Sequence, residues 1–354
     1  MNTKTNTEKS AKIPVLVIFA PTASGKTALT RELFSPEGSH FIFKAEIISA
    51  DSQAVYKQMD IGTAKPDSAL QKEIPHHLID LLNPDQQFNV SDFVDAADKK
   101  CEEIYSRGNL PVICGGTGFY IRNFLYGVAP TPVSDEKLRN QLKERIAKEG
   151  NAALYEELKK IDPESASKIH INDAYRICRA LEVYYLSGKP RSAFKPQSRI
   201  QSGVQSGADE SQKLRSRYDF LFIVLEPPRD ILYERIGKRV EQMFEAGLKQ
   251  EVLSLIKKGY GAETPGLKAI GYSEWFNENG EPLISNCNNI EESAENDEKC
   301  RQLIRHHSCK YAKKQYTYIR DIPGSIRIPY TATNGQIQQI AELIRSKFYA
   351  YLSG

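Results

Sequence analysis

Long apolar runs are absent from this 354-residue chain. No stretch approaches the roughly 18 to 20 residues that a membrane span requires. The polar opening Met1 to Ser10 also lacks the apolar core of a signal peptide. A transmembrane or secreted protein is therefore not expected, and a cytoplasmic one is. Paired cysteines are missing as well. The six thiols, at positions 101, 114, 178, 287, 300 and 309, form no C-x-x-C pair and show no zinc-type Cys/His spacing. Reduced cysteines are expected, without a disulfide framework or a zinc site. A large excess of charge is lacking too: 48 Lys+Arg against 45 Asp+Glu leaves +3, too little to imply nucleic-acid binding by itself. No internal repeat of fixed period is visible. What remains, 40% hydrophobic and 26% charged, is ordinary globular composition, sufficient for one large domain or two smaller ones.

The charges are unevenly distributed. Residues 276 to 299 hold seven acids and one Lys, whereas 301 to 320 (RQLIRHHSCKYAKKQYTYIR) hold six Lys/Arg and no acid. The first segment reads as a solvated loop. The second sets Tyr311, Tyr316 and Tyr318 among cations, the composition of a surface that contacts phosphates and stacks on bases. An exposed amphipathic helix has the same composition.

Alternation of strand and helix signals predicts an α/β fold. The run IPVLVIF (13 to 19) is short, continuous and β-branched, as in a strand buried on both faces of a parallel sheet. Residues 46 to 50, 111 to 114, 218 to 225 and 325 to 330 repeat the signal. Helices are expected over 91 to 107, from about Arg229, and over 336 to 351. Between 134 and 186 the strand signals vanish and the periodicity is helical, with Leu138, Leu142, Ile146, Leu154, Leu158, Ile177, Leu181 and Tyr185 at apolar positions. The expected organisation is a phosphate-loop α/β core over 1–129 and 218–354 with an all-helical insertion over 130–217. The Ser-, Gly- and Gln-rich stretch 187–217 is expected to be a mobile connection.

The sharpest chemical signal is A-P-T-A-S-G-K-T, comprising Ala20, Pro21, Thr22, Ala23, Ser24, Gly25, Lys26 and Thr27, between the first strand and a helix. In such a loop, backbone N–H groups and the helix N-terminus converge on phosphate oxygens. Lys26 adds a point charge, and the Thr27 hydroxyl is placed to ligate Mg²⁺. The stricter pattern has Gly at position 20, and Ala is tolerated there if φ stays negative. The second strand ends in S-A-D-S-Q, which puts Asp51 at the carboxyl edge of the sheet as a base, a metal ligand or a turn residue. Gly115-Gly-Thr-Gly118 ends a third strand, either as a close-approach ligand loop bearing Thr117 or as a plain turn. Arg235 and Arg239 lie four apart, the spacing of a diphosphate clamp or of surface pairs with Glu234 and Glu241. Arg176 and Arg179 lie three apart on the helical insertion, near Asp173. His76 and His77 are read as structural.

Taken in order, these motifs resemble one family, the tRNA dimethylallyltransferases. The stretches that carry the resemblance are A-P-T-A-S-G-K-T (20 to 27), A-E-I-I-S-A-D-S-Q (45 to 53), V-Y-K-Q-M-D-I-G-T-A-K-P (55 to 66) and P-H-H-L-I-D (75 to 80). They continue in L-P-V-I-C-G-G-T-G-F-Y (110 to 120), R-I-C-R-A-L-E-V (176 to 183), A-I-G-Y (269 to 272) and Y-A-K-K-Q-Y-T-Y-I-R (311 to 320). The resemblance implies transfer of a dimethylallyl group from its diphosphate to N6 of the adenosine 3′ of the anticodon, in tRNAs reading codons that begin with U. It implies Mg²⁺, with Thr27 as a metal ligand, and the anticodon stem-loop as partner. Asp51 would be the base, and Lys26, Thr27, Arg235 and Arg239 would hold the diphosphate, although the same loop is also the signature of an ATP site. It implies RNA contacts at Asp51, Ser52, Gln53, Ala54, Thr117 and Arg139. Further contacts would come from Tyr175, Arg176 and Arg179, from Lys268, Gly271 and Tyr272, and from Lys310, Lys313, Lys314 and Gln315. Ala20, Ala54 and Ser273 depart from the family pattern. The resemblance is to the bacterial type, for which the C-terminal zinc finger of some eukaryotic relatives is not expected, and a monomer is expected.

Two rivals use the same loop. A small-molecule kinase would leave the basic aromatic segment without a use. A GTPase switch finds a D-x-x-G at 321 to 324, near the C-terminus, with no N-K-x-D after it.

Overall fold

A computed structural model describes residues 12–195, 215–284, 290–320 and 322–352. The opening decapeptide, Cys287, Asp321 of the D-x-x-G match and residues 196–214 of the expected connection lie outside them. The chain divides into two compact units, Met1–Leu125 with Ser216–Gly354, and Tyr126–Arg215.

The first elements in chain order are β1 (Ile13–Phe19), α1 (Lys26–Phe34), β2 (Ala45–Ser49), α2 (Ser68–Glu73), β3 (His76–His77), α3 (Val90–Ser106), β4 (Leu110–Gly115) and α4 (Gly118–Tyr126). Then come α5 (Glu136–Ile161), α6 (Pro163–Ala166) and α7 (Ala174–Ser187). The last are β5 (Tyr218–Leu225), α8 (Arg229–Glu245), α9 (Leu248–Lys257), α10 (Ile290–Gln315), β6 (Ile326–Ile328) and α11 (Asn334–Leu352). The sheet has six strands in the order β3-β2-β4-β1-β5-β6, all parallel, with helices packed against it.

β1 is the predicted strand, and Val15 to Phe19 are fully buried. One face joins Leu16 and Ile18 to Leu29 and Leu33 of α1 and to Ile340, Ile344 and Phe348 of α11. Each such side chain contributes roughly 1.5–3 kcal/mol of burial, so the central strand is held firmly in register. On α3, Phe93, Val94, Ala97, Cys101 and Ile104 are the buried stripe, and Asn89 and Asp92 form a reciprocal capping box that sets its start. β3 is only two residues long. It pairs Ile47 with His76 and Ile48 with His77, and His77 Nε2 meets Glu46 Oε2 at 2.7 Å. The histidines are structural, as expected, but they also form an edge strand that the sequence pattern does not announce.

In the helical unit, Leu142, Leu154, Leu158, Ile177 and Leu181 make the core, with Leu138 and Ile146 partly buried against it. Tyr185 instead faces outward and donates to Glu157. The acidic stretch 276–299 is not wholly a loop. α10 begins at Ile290, so its second half is helix, continuous with the basic segment.

Because all strands are parallel and β2, β4 and β1 are adjacent, their carboxyl ends deliver three turns to one edge. These are the 20–25 loop after β1, the Asp51 turn after β2 and the 116–117 turn after β4.

Candidate active site at the carboxyl edge of the sheet

The loop after β1 has the backbone of a phosphate cradle. Ala20 keeps φ out of the left-handed region, so replacing the usual Gly costs nothing there, whereas Ala23 (φ 61°) and Gly25 (φ 92°) take that conformation. Gly25 caps α1 without any side-chain hydrogen bond, which leaves the first amides of the helix without intrahelical partners. Lys26 curls back and donates to the Ala20 and Pro21 carbonyls at 3.0 Å each. Burial lowers its pKa, with Asp51 opposing the shift and Arg239 adding to it. The Thr27 hydroxyl is at the exposed start of α1. The Ser24 hydroxyl is buried without a hydrogen-bond partner.

Asp51 Oδ1 accepts from the Gln53 amide at 2.9 Å, a turn that fixes the carboxylate over the sheet edge. Thr117 fastens the neighbouring turn: its amide donates to the Ala50 carbonyl at 3.0 Å, and its Oγ1 accepts from the Ser52 amide at 3.1 Å. Gln53 Oε1 is buried without a partner. Ala54 is buried and offers no surface to an RNA.

The two arginines of α8 play unequal parts. Arg235 spends its guanidinium on the Ser24 and Thr331 carbonyls, both at 3.2 Å, and so braces the loop from behind. Arg239 donates to the Thr63 carbonyl at 3.3 Å, and its Nε is buried with no partner. Burial lowers the Arg239 pKa and Asp51 opposes the shift. Lys26 and Arg239 therefore share Asp51 as their counter-charge. That is an arrangement with two cations for an anionic ligand and one carboxylate for a proton.

α10 closes the site from the other side. Gln315 is buried. Its Oε1 accepts from the Thr22 amide at 3.2 Å, and its Nε2 donates to the Gly116 carbonyl at 2.7 Å, so it staples the phosphate loop to the turn after β4. A Cβ on Gly116 would stand 2.4 Å from Gln315 Nε2, so a side chain there would push the Gln315 amide out of this position. Gln315, expected among the RNA contacts, is thus held by two internal hydrogen bonds. Burial pushes the Tyr311 hydroxyl up to about 12, with Asp51 adding to the effect, and that hydroxyl interacts with Thr117 and Gln315. Lys310, Lys313 and Lys314 are exposed and pair with no carboxylate among the described residues, unlike Arg301, which is bound to Glu241. Phe119, absent from the sequence expectations, is exposed with its ring 5.5 Å from that of Tyr318. The aromatic pair following G-G-T-G was its only signal.

Other expected RNA contacts are placed differently. Tyr272 is fully buried and Gly271 is buried with it, both inside the core around α9. Lys268 is exposed and pairs with Glu263 at 2.9 Å. Within the helical unit, Glu182 is buried. It accepts from Ser134, the Asp135 amide and Arg179, with Arg139 at 3.6 Å. Arg179 also holds the Thr131 hydroxyl and the Pro132 carbonyl. Arg179 and Arg139 thus both turn toward Glu182, with 34% of the Arg139 side chain still exposed, whereas Tyr175 and Arg176 are exposed, Arg176 beside Asp173.

The described residues contain no cluster of three or more His, Cys, Asp or Glu able to hold a metal by themselves. No described helix is long and apolar enough to cross a membrane.

A family profile described as IPP transferase matches residues 54–322. A protein of Geobacter sulfurreducens named tRNA dimethylallyltransferase is 37% identical over 334 residues, covering 94% of this chain and 97% of that one. One from Sulfurihydrogenibium sp. with the same name is 43% identical over 260 residues, 73% and 77% of the two chains. The crystal structure of the full-length tRNA isopentenylpyrophosphate transferase of Bacillus halodurans superposes with a TM-score of 0.60 at 31% identity, covering 96% of this chain and 98% of that one.

Proposed function

The chain belongs to the IPP transferase family, that of the tRNA dimethylallyltransferases, and on that premise we propose how its site works. The enzyme moves the dimethylallyl group of dimethylallyl diphosphate onto N6 of the adenosine 3′ of the anticodon, in tRNAs reading codons that begin with U. The observation that carries this reading is the turn before Lys26, left-handed at Ala23 and Gly25 with the helix amides uncapped, together with the buried atoms Ser24 Oγ, Gln53 Oε1 and Arg239 Nε, which have no partner among the described residues.

The N6 lone pair attacks C1 of the allylic chain as the C1–O bond breaks, and the electron pair of that bond leaves with the diphosphate. Negative charge grows on the leaving group. Lys26, Arg239 and the amides of Gly25 to Thr27 meet that charge. The proton lost from N6 passes to Asp51, whose carboxylate the Gln53 amide keeps in place. The target base reaches the sheet edge only if it leaves its stack, as a nucleotide turned out of the anticodon loop. The free lysines of α10 then hold the flanking phosphates, and exposed Tyr175 and Arg176 of the helical unit supply contacts of the same kind.

The donor set suits Mg²⁺, a hard ion that prefers oxygen ligands and retains water. The Thr27 hydroxyl, at the exposed start of α1, would hold it together with diphosphate oxygens. When bound, it would neutralise charge on the leaving diphosphate. The protein is proposed to act as a monomer.

Incubating the protein with dimethylallyl diphosphate and unmodified tRNA, beside a parallel incubation with ATP, tests the reading. Label moving from the donor to an adenosine of the tRNA, with diphosphate released in equal amount, is expected. Phosphoryl transfer from ATP without prenylation would favour the kinase instead.

A further inference from the structure

We propose that Glu251 is a positioning residue that sets the orientation of Arg239 through the turn at residues 60–63. The proposal rests on the diphosphate-binding role of Arg239 given above and names a residue outside the site itself.

Glu251 lies on α9 and uses both carboxylate oxygens. Oε2 accepts from the Asp60 and Ile61 amides at 2.8 and 2.9 Å. Oε1 accepts from the Gly62 amide at 3.2 Å and from the Tyr272 hydroxyl at 2.6 Å. Three consecutive backbone amides are thus gathered on one carboxylate, the arrangement in which turns usually hold an anion. The turn is also seated from above. A Cβ on Gly62 would stand 2.5 Å from the ring of Tyr272, so the fully buried Tyr272 packs directly against the backbone at this point.

The next residue carries the consequence. The Thr63 carbonyl is the acceptor for Arg239 Nη2, while the Thr63 hydroxyl donates to the Met59 carbonyl at 2.5 Å. Arg239 forms no other hydrogen bond among the described residues, and its Nε is left buried and unpartnered. Its rotamer therefore depends on where the Thr63 carbonyl points, and that depends on the amides of residues 60 to 62. Glu251 fixes these amides from a position across the α9 core. A long flexible side chain held at one end by a fixed carbonyl meets the diphosphate with less ordering left to lose.

A double-mutant cycle tests the relay. Wild type, Glu251→Gln, Arg239→Ala and the double variant are titrated with dimethylallyl diphosphate and, in parallel, with inorganic diphosphate. tRNA affinity and melting temperature are recorded for each. Glu251→Gln replaces one acceptor oxygen by a donor facing the same amides, and should weaken donor binding by roughly 3- to 30-fold while tRNA affinity holds. In the Arg239→Ala background the same change should cost nothing further. Tyr272→Phe removes one of the four hydrogen bonds with little change of shape. It should show a smaller effect of the same pattern, and it carries the test if Glu251→Gln does not fold. Equal losses in both backgrounds would show a general structural role and overturn the relay, as would unchanged donor binding in both variants. A wild type that binds inorganic diphosphate but not the prenyl donor would count against the proposed function and still leave the relay measurable.

Discussion

Replacing Gln315 by Leu separates two accounts of the same residue. If its amide staples the phosphate loop to the turn after β4, the change strands two backbone groups, the Thr22 N–H and the Gly116 carbonyl. Each stranded group costs about 1–3 kcal/mol. Thr22 is only half-buried, so its share falls at the low end, and the apolar Leu returns part through burial. The net loss should be about 2–3 kcal/mol, or roughly 4–12 °C in melting temperature for a unit of this size. Differential scanning calorimetry reads that directly. Titration with dimethylallyl diphosphate should show weakened donor binding, because Thr22 belongs to the cradle. Affinity for the anticodon stem-loop and its salt dependence should stay at wild-type values. The opposite pattern, with melting and donor binding intact and RNA affinity lost, would restore Gln315 to the RNA surface and refute the staple.

Asp51→Asn keeps the shape of the turn and removes the proton acceptor. The single-turnover rate with both substrates bound should fall by roughly 10²- to 10⁴-fold, with little change in donor affinity; an unchanged rate would return Asp51 to a turn role. Neutralising Lys313 and Lys314 together should weaken tRNA binding and reduce the salt slope by about 1.4–1.8, as for two lost phosphate contacts, and titrations at two salt concentrations would show it. Glu46 supplies an acid-stability test. Burial opposes its ionisation, but hydrogen bonds from Arg107, Asn109 and His77 prevail and hold its carboxyl at about 2 against an ordinary 4.5. Its contribution, at most about 3 kcal/mol, is therefore complete above pH 4.5 and lost as pH falls through about 2. Denaturant midpoints of wild type and Glu46→Gln should differ at neutral pH and converge in acid.

What the sequence discloses and what it hides divide along a physical line. Short-range signals are legible: the β-branched run of β1, the stripe on α3 and the glycine-bearing loop before Lys26 each announce themselves within a few residues. The three turns share one edge because the strands are parallel and β2, β4 and β1 are neighbours. Roles set by distant partners are not legible. Gln315 reads as one more polar residue in a basic segment, and only its meeting with Thr22, 293 positions away, makes it internal. Arg179 and Arg139 read as two separate cations, and only the fold shows buried Glu182 as their shared partner. Tyr272 and Ala54 match a binding motif yet are consumed by packing. The start of α10 is masked by acidic composition that suits a loop as well as a helix. β3 is too short for any periodicity and exists because β2 offers an edge and Glu46 a partner for His77.

The central claim is that the loop of residues 20–27 holds the donor diphosphate while the RNA rests on a separate surface. Single-turnover prenylation by Lys26→Ala at saturating donor, measured beside its affinity for the anticodon stem-loop, tests both halves at once. The account predicts that transfer is abolished and RNA affinity is kept. Retained transfer, or RNA binding lost together with it, would contradict the claim.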